Sequence, residues 1–374
     1  MLVFLALLPW LVLVGALPVV LRRRPALESY APERAAAAPF VSVILPVRDD
    51  AGRIGACLAS LLDTEHRPVE VVVVDAGSRD GTREIVEVLE RRAPARVRLV
   101  AAGPGPSGRP WRAWACERGS REARGDLLLF TEPGSHHDAE LLPRAIAALE
   151  REQADLLSVL PRLTMEGFWE RLVMPHVWFM LVARFPSAAR VNRTVSPRGA
   201  VASHQFMLFR RAAYEAIGGH AVMEPGALED VRIAQAVVGA GLRLFLVHGE
   251  NYLETRMYRT LRTIAQDWPS AVAPASPATV APWAGAFVPW LLVVLPLALF
   301  VVPAALLAAG LFYGPARTMA DWSAAATLLS LGFWLAVHGR FRIRPAYAMV
   351  YPAGALVTSV LFVRSILRRD REGV

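Results

Sequence analysis

Residues 69–82 have the sequence VEVVVVDAGSRDGT, an unbroken apolar run that ends in an aspartate and a glycine-containing turn. A second run, VSVILP, occupies residues 41–46, and a helical apolar pattern lies between the two runs at residues 54–62. Continuous apolar strands are buried on both faces, which is typical of a parallel sheet with helices on each side. The two runs therefore predict an α/β sheet.

The alternation of helices and strands continues along the chain. We predict a helix over residues 82–92, a strand over 97–101, a helix over 111–123 and a strand over 126–131. This order predicts a doubly wound sheet, in which ligands bind beyond the carboxyl ends of the strands. The residues that follow Leu45, Val74 and Thr131 are thus the candidates for chemistry.

The composition indicates a membrane protein with one large polar domain, which we place at residues 39–268. Of the 374 residues 54% are hydrophobic, and the net charge is +8. The arginines cluster beside apolar segments, and the sequence has no basic motif interleaved with aromatic residues. We therefore expect no nucleic-acid partner and attribute the charge to contact with anionic lipids. Cys57 and Cys116 lack the spacing of a metal or disulfide site, and we expect both to be buried.

The first residues predict a transmembrane anchor. Residues 1–21 are almost uncharged and are followed by Arg22, Arg23 and Arg24, whereas a signal peptide carries its positive charge before the apolar run. We predict an anchor over residues 1–24, with the arginines in the cytoplasm by the positive-inside tendency.

The C-terminal region, residues 283–367, contains three apolar blocks at about 283–313, 322–338 and 346–366. The first block is long enough to cross the membrane with a tilt, or to contain a re-entrant piece broken near Pro296 and Pro303. Arginines follow both of the last two blocks, and the positive-inside tendency does not place both groups in the cytoplasm if every block spans once. The number of spans stays open.

Several motifs after these strands resemble those of family 2 glycosyltransferases, which have a GT-A fold. Residues 46–49 (PVRD) and 75–82 resemble the first two nucleotide-binding elements, and residues 108–111 (GRPW) resemble a Gly-Lys-x-Trp segment near the nucleotide. Further along, the segments that resemble a Gly-Gln-Phe acceptor-side strand, a Glu-Asp pair and an arginine segment are residues 202–206 (ASHQF), 229–230 and 256–259 (RMYR). The order of these segments and of the apolar ends is similar to that of transferases associated with hopanoid and carotenoid biosynthesis.

The resemblance implies a role for each matching residue. Asp230, with Glu229 beside it, would be the catalytic base for an acceptor hydroxyl. The implied donor-binding residues are Pro46, Arg48, Asp75, Arg109 and Glu132. The implied contacts to the diphosphate or the acceptor are Gln205, Arg256 and Arg259.

The family also has an Asp-x-Asp motif that holds a divalent metal against the diphosphate. Here Glu132 and Gly134 stand at the two aspartate positions. The sequence leaves two alternatives open. Either Glu132 retains Mg²⁺ or Mn²⁺, with help from His136, His137 or Asp138, or Arg109, Arg256 and Arg259 offset the diphosphate charge directly. We interpret His176 and His204 as structural residues.

Our leading hypothesis is a membrane-integral inverting glycosyltransferase of the cell (inner) membrane, with its catalytic domain in the cytoplasm. It would move a sugar from a nucleotide-sugar donor to a lipid acceptor. The alternative is a catalytically degenerate relative that binds nucleotide or lipid within a complex. A transporter is disfavoured because the apolar blocks lack ionisable residues at mid-depth. Residues 168–180, rich in aromatic residues, predict either a helix in the headgroup layer or a core helix.

Overall fold

The computed structural model describes residues 7–22, 24–32, 38–223, 228–266, 287–313 and 317–372. The predicted boundary at residue 268, the first residues of the anchor and the start of the first C-terminal block lie outside these ranges. The chain divides into two compact units. The sheet unit comprises Arg23–Thr164 and Ala188–Met257, and the helical unit comprises Met1–Arg22, Met165–Ser187 and Tyr258–Val374.

The strands of the sheet unit are β1 (Val41–Val47), β2 (Val69–Asp75), β3 (Val97–Ala101), β4 (Leu127–Thr131), β5 (Ser135–His137), β6 (Leu156–Leu160), β7 (Arg162–Leu163), β8 (Phe206–Arg210), β9 (Leu244–His248) and β10 (Leu253–Thr255). The helices of both units are α1 (Leu8–Val20), α2 (Ala51–Leu62), α3 (Thr82–Arg92), α4 (Trp111–Glu122), α5 (Leu141–Arg151), α6 (Phe168–Arg184), α7 (Ala188–Val191), α8 (Arg211–Ala216), α9 (Glu229–Gly239), α10 (Val288–Pro296), α11 (Val302–Tyr313), α12 (Arg317–Arg340), α13 (Ala346–Met349) and α14 (Tyr351–Glu372).

The main sheet is mixed and, within the described residues, has the strand order β3-β2-β1-β4-β8-β6-β9. Strands β3, β2, β1 and β4 are parallel, whereas β8 runs antiparallel to β4 and β6. The register pairs Val47 of β1 with Asp75 of β2. A small second sheet has the order β5-β10-β7. The predicted α/β fold with a doubly wound mixed sheet is confirmed.

Burial explains why the apolar runs predicted the central strands. Every residue of β1, β2 and β4 is buried, and their side chains form one core with α2 and α5. Helix α2 begins at Ala51, three residues before the apolar pattern starts, because Asp80 of the next loop accepts a hydrogen bond from the Ala51 amide at 3.0 Å. Such a contact between two loops leaves no local signal in the sequence.

The helical unit contains long apolar helices. Within the described residues, three stretches are long and apolar enough to cross a membrane, namely Phe168–Val191, Val288–Gly310 and Met319–Arg340. The described part of the predicted anchor forms the shorter helix α1, and the last predicted block forms α13 and α14. The first C-terminal block stays helical through Pro296 and Pro303, because a π-helical segment, Leu297–Val301, joins α10 to α11. A π-helical segment accommodates a locally disturbed hydrogen-bond ladder without breaking the helix.

Helix α6 packs inside the helical unit, which favours the core alternative for residues 168–180. The His176 ring stacks on Trp334 with 3.9 Å between centroids. Its nitrogens lie 3.1 Å from the carbonyl oxygens of Leu172 and Tyr351. These contacts agree with the structural role predicted for His176.

Candidate active site

The candidate site lies at the edge of the main sheet where the parallel strands β1, β2 and β4 end. Carboxyl ends of adjacent parallel strands meet at one edge, so the segments that follow them lie side by side. Asp75 is the last residue of β2, and Glu132 directly follows β4. The predicted donor-binding segments are therefore brought to one edge of the sheet.

The turn after β2 holds Asp75 in place. Its carboxylate is buried, and Oδ1 accepts a hydrogen bond from the Ser78 amide at 2.9 Å. Gly77 and Gly81 have φ values of +87° and +88°, which glycine adopts without the steric cost that a Cβ would impose. The turn therefore keeps one acidic oxygen engaged in its own structure.

The loop after β1 packs against this turn. The Asp49 amide donates to Oγ of Ser78 at 3.1 Å, and the Arg79 amide donates to the Asp49 carboxylate at 2.7 Å. Pro46 is buried inside β1 opposite Val74, so its part is to shape the strand. Arg48 is exposed at the end of β1.

Glu132 sits at the centre of the site, where three groups hold its carboxylate. Oε2 lies 3.2 Å from Nη2 of Arg112 and 3.2 Å from Nε2 of His204. Oε1 accepts a hydrogen bond from the Thr255 hydroxyl of β10 at 3.0 Å. Burial alone would raise the pKa of Glu132, but the charges of His204 and Arg112 and the hydrogen bonds hold it well below its usual range.

His204 joins the two carboxylates to which the sequence gives separate roles. Its Nδ1 lies 3.5 Å from Oδ2 of Asp230, while Nε2 contacts Glu132. Burial would lower the pKa of His204, but the Glu132 charge and the hydrogen bonds to Asp230 and Glu132 raise it to about 10. The raised pKa favours the protonated ring, and His204, interpreted from the sequence as structural, contacts both carboxylates of the site.

Glu229 and Asp230 open helix α9, as the sequence predicts, but they face different partners. Glu229 lies 3.0 Å from Nε2 of His220. Burial would raise the pKa of Glu229, but the hydrogen bond and charge of His220 and the charge of Arg112 lower it to about 2. The Asp230 side chain is 24% exposed and contacts His204, so Asp230 is the more accessible acid of the pair.

Arg109, an implied donor-binding residue, does not pair with Glu132 or Asp75 in the contacts of the described residues. It is ion-paired with Glu117, and its guanidinium lies 5.4 Å from the Trp114 ring centroid. Arg112, one helical turn further along the chain, reaches Glu132 instead. Arg112 is the second residue of α4, whereas Arg109 lies before the helix, which begins at Trp111.

Gln205 lies beside His204, with its amide nitrogen 2.9 Å from Nε2 of the ring. The main-chain carbonyl oxygen of Gln205 accepts a hydrogen bond from the Thr131 hydroxyl at 2.7 Å, which ties Gln205 to the end of β4. Arg256 follows β10, and its amide donates to the Gly134 carbonyl at 3.3 Å. Arg259 belongs to the helical unit and is exposed.

Two of the alternative metal ligands predicted near Glu132, His137 and Asp138, each have a partner for one atom, while Nδ1 of His137 is buried with no hydrogen-bond partner within the described residues. His137 is buried, with Nε2 at 2.9 Å from the Thr131 hydroxyl, and burial lowers its pKa to about 3. Oδ1 of Asp138 accepts a hydrogen bond from the Glu140 amide at 2.9 Å, and His136 is an exposed residue of β5.

A second cluster of ligand types, Cys116, His220 and Glu229, has its ligand atoms within 4.8 Å of one another. Both nitrogens of His220 already have partners, because Nδ1 lies 2.8 Å from the Tyr214 hydroxyl and Nε2 contacts Glu229. Burial raises the pKa of the Cys116 thiol, which disfavours the thiolate that a metal requires. The cluster is therefore a packed hydrogen-bonding group.

Comparison with known proteins identifies the domain. Residues 42–218 match the model of the family described as glycosyl transferase family 2. A dolichol-phosphate mannosyltransferase from Mycosarcoma maydis is 29% identical over 127 residues, which cover 32% of this chain and 41% of that protein. The uncharacterized glycosyltransferase EpsJ from Bacillus subtilis is 27% identical over 119 residues, which cover 32% of this chain and 33% of that protein. The matches thus span less than half of the length of these relatives.

Among solved structures, the mannosyltransferase PcManGT from Pyrobaculum calidifontis, in complex with GDP-Man and Mn²⁺, has a similar fold. The TM-score is 0.57 at 20% identity, and the alignment covers 96% of this chain and 94% of that one. At this identity the likeness shows the fold alone, and it confirms the predicted GT-A fold.

A divalent ion does not fit the side chain of Glu132 as this protein holds it. Metal ligation requires oxygen lone pairs that face the ion, whereas both oxygens of Glu132 accept contacts from cations or a hydroxyl. The second aspartate position is Gly134, which has no side chain. A Cβ added to Gly134 would lie 3.5 Å from Nη1 of Arg53 and 3.3 Å from the Arg256 carbonyl oxygen.

Proposed function

Because residues 42–218 match the model of glycosyl transferase family 2, we propose that the protein transfers a sugar from a nucleotide-sugar donor to an acceptor hydroxyl. The observation that carries the proposal is the convergence of Glu132 and Asp230 on His204. One carboxylate comes from the donor edge of the sheet and the other from the start of α9. Glu132 and Asp230, which are 98 residues apart in the sequence, thus meet in one polar cluster.

Asp230 is the proposed general base. The acceptor oxygen attacks the anomeric carbon and its proton moves to the Asp230 carboxylate. The bond between that carbon and the diphosphate oxygen breaks at the same time, and the nucleoside diphosphate leaves with the electron pair. His204 lies 3.5 Å from Asp230 and orients this carboxylate before the step.

Asp75, Pro46 and Arg48 form the proposed donor-binding edge. A carboxylate at a strand end accepts hydrogen bonds from a ribose or a base, and Asp75 is fixed there by the Ser78 amide. Pro46 shapes the end of β1, and the exposed Arg48 offers a charge to the phosphates. Gln205 and Arg256, beside His204 and Gly134, are proposed to contact the diphosphate or the acceptor.

The acceptor is proposed to be a membrane lipid. In the part of the chain that the structure describes, three stretches are long and apolar enough to cross a membrane, and one relative is named a dolichol-phosphate mannosyltransferase. We propose a multi-pass protein of the cell's inner membrane, with the sheet unit in the cytoplasm. The arginines after α1 support this orientation, since positive charge flanking a span is retained on the cytoplasmic side.

The test is a transfer assay with the full chain purified in detergent. The protein is incubated with each of UDP-glucose, UDP-N-acetylglucosamine, UDP-galactose and GDP-mannose, with and without a lipid extract, and release of nucleoside diphosphate is measured. We expect one donor to give release that depends on the lipid extract. The matched control is Asp63→Asn, an exposed aspartate at the end of α2, which should behave as the parent.

The alternative is a degenerate relative that binds nucleotide or lipid as a partner in a complex. The absence of a side chain at Gly134 and the engagement of both Glu132 oxygens favour it. Nucleoside diphosphate binding without release from any donor in the same assay would support this alternative over the enzyme.

A further inference from the structure

Two guanidinium groups flank the turn formed by residues 132–134. Arg53 lies in the first turn of α2 and Arg112 in the first turn of α4. Their side chains are 37% and 23% exposed, and each guanidinium pairs with one carboxylate, Arg53 with Asp50 and Arg112 with Glu132. The sequence motifs single out neither Arg53 nor Arg112.

Arg53 is positioned by the way α2 packs along this turn. The Cys57 thiol, one helical turn beyond Arg53, lies 3.5 Å from the Glu132 carbonyl oxygen. Residues four apart share a face of a helix, so Arg53 also faces the turn. Its Nη1 lies 3.5 Å from the place of a Cβ on Gly134. A cation therefore stands where a second acidic side chain would begin.

Arg112 approaches the same turn from the other side. It contacts Oε2 of Glu132 at 3.2 Å through Nη2. A guanidinium has five N–H donors in a planar fork, so one such contact does not exhaust it. The carboxylate of Glu132 holds the fork against the sheet edge.

The charges of this arrangement disfavour an additional divalent cation. In an Asp-x-Asp site, two carboxylates offset the two positive charges of the ion. At the two motif positions one carboxylate remains, and it already pairs with Arg112 and with His204, whose other nitrogen contacts Asp230. A divalent ion at Glu132 would meet fixed positive charges at close range, where such repulsion is weakly screened.

We propose that Arg53 and Arg112 bind the diphosphate of the donor in place of a divalent metal ion. The inference rests on the proposed function and deepens it. Guanidinium groups bind phosphate oxygens in bidentate fashion, and they stabilise the charge that develops on the leaving oxygen when the glycosidic bond breaks. Without a carboxylate at position 134, Nη1 of Arg53 faces the turn, while Nη2 stays ion-paired with Asp50.

The test measures binding of UDP and GDP to the full chain by calorimetry, once with EDTA and once with Mn²⁺. We expect the Kd of the better ligand to be the same within about twofold under both conditions, because no metal takes part. Loss of one charged hydrogen-bonding group should weaken binding by about tenfold or more, so we expect that effect from Arg53→Gln and from Arg112→Gln. The matched control is Arg118→Gln, which removes an ion-paired arginine from the same helix as Arg112.

The outcomes separate this inference from the proposed function. Binding that requires Mn²⁺ would overturn the inference and leave the glycosyltransferase intact. Failure of both UDP and GDP to bind under either condition would overturn both. Thermal unfolding shows whether Arg112→Gln folds. If it does not, Arg53→Gln, at the more exposed of the two arginines, is the variant that tests the inference. Unchanged nucleotide binding in Arg53→Gln would contradict the inference.

A gain-of-metal experiment tests the position of Arg53 independently. In Gly134→Asp the new carboxylate should pair with Arg53, so nucleotide binding should weaken and Mn²⁺ should not restore it. Adding Arg53→Ala should release this carboxylate and produce binding that Mn²⁺ strengthens. Strengthening by Mn²⁺ in Gly134→Asp alone would show that Arg53 does not occupy the metal's place.

Discussion

His204 and Glu132 form an ion pair at the sheet edge, with 3.2 Å between Nε2 and Oε2. The two residues are far apart in sequence and meet because β8 lies beside β4 in the main sheet. The same imidazole contacts Asp230, so the charge of one ring orients both proposed acids. This arrangement has a measurable consequence for the dependence of stability on pH.

We expect His204→Gln to lower stability at neutral pH and to have little effect above the folded pKa. The pKa of His204 in the folded protein is about 10, above its value of 6.5 when unfolded. A raised pKa contributes stability that is fully present below pH 6.5 and is lost as the pH rises through about 10. The unfolding temperature of parent and variant should therefore differ most below pH 6.5 and converge near pH 10. A difference that stays constant across this range would show that the ring contributes by packing alone.

We expect Asp230→Asn to reduce transfer by about 10²- to 10⁴-fold, the range for loss of a general base. The carboxamide keeps the shape of the side chain, so UDP or GDP should bind as in the parent. The measurements are single-turnover transfer and nucleotide calorimetry, with Asp63→Asn as the control. Transfer within a few-fold of the parent would leave Asp230 as no more than an acid at the start of α9.

Asp75→Ala should raise KM for the donor and leave kcat nearly unchanged. Its carboxylate is proposed to contact the ribose or base, which are the same in the donor and in the transition state, and uniform binding of this kind appears in KM. The comparison variant is Asp75→Asn, which keeps an oxygen for the Ser78 amide and loses the charge. If Asp75→Asn restores the parent KM, the role of Asp75 lies in the turn and not in donor recognition.

The sequence predicts the strands well because each central strand is a continuous apolar run buried on both faces. It predicts Asp75 and Glu132 at the site because both stand at strand ends. It does not predict His204 or Arg112, because their importance comes from contacts with residues distant in sequence. Arg109 matches the family motif better than Arg112, but Arg109 lies before α4 and pairs with Glu117, whereas Arg112 in the first turn of the helix reaches Glu132.

The proposed orientation of the protein in the membrane predicts that the sheet unit is inaccessible from outside the cell. Ser107 is exposed in the loop after β3. Its φ angle is not positive, unlike those of Gly103, Gly105 and Gly108 in the same loop, so a cysteine fits there. The two natural cysteines are buried and free, so Ser107→Cys should be the reactive thiol. We expect a membrane-impermeant maleimide to label it only after the cells are permeabilised. Labelling in intact cells would place the sheet unit outside.

The helical unit offers a test of how closely its helices approach. A Cβ on Gly354 of α14 would lie 2.6 Å from the Leu172 carbonyl oxygen and 2.4 Å from Cε1 of His176, both in α6. Real Cβ atoms do not approach so closely, so an alanine at this position must separate α14 from α6. Small residues at helix contacts within membranes permit such approach, and overpacking typically costs about 1–3 kcal/mol.

We therefore expect Gly354→Ala to lower the unfolding temperature of the detergent-purified protein. The matched control is Gly332→Ala in α12, where a Cβ would meet nothing within 4 Å. Both glycines are helical, so the gain in helix propensity from alanine is similar and cancels in the comparison. A stability of Gly354→Ala equal to that of Gly332→Ala would mean that α6 and α14 do not pack at this distance. The close contact between Gly354 and His176 would then have no part in holding the helical unit together.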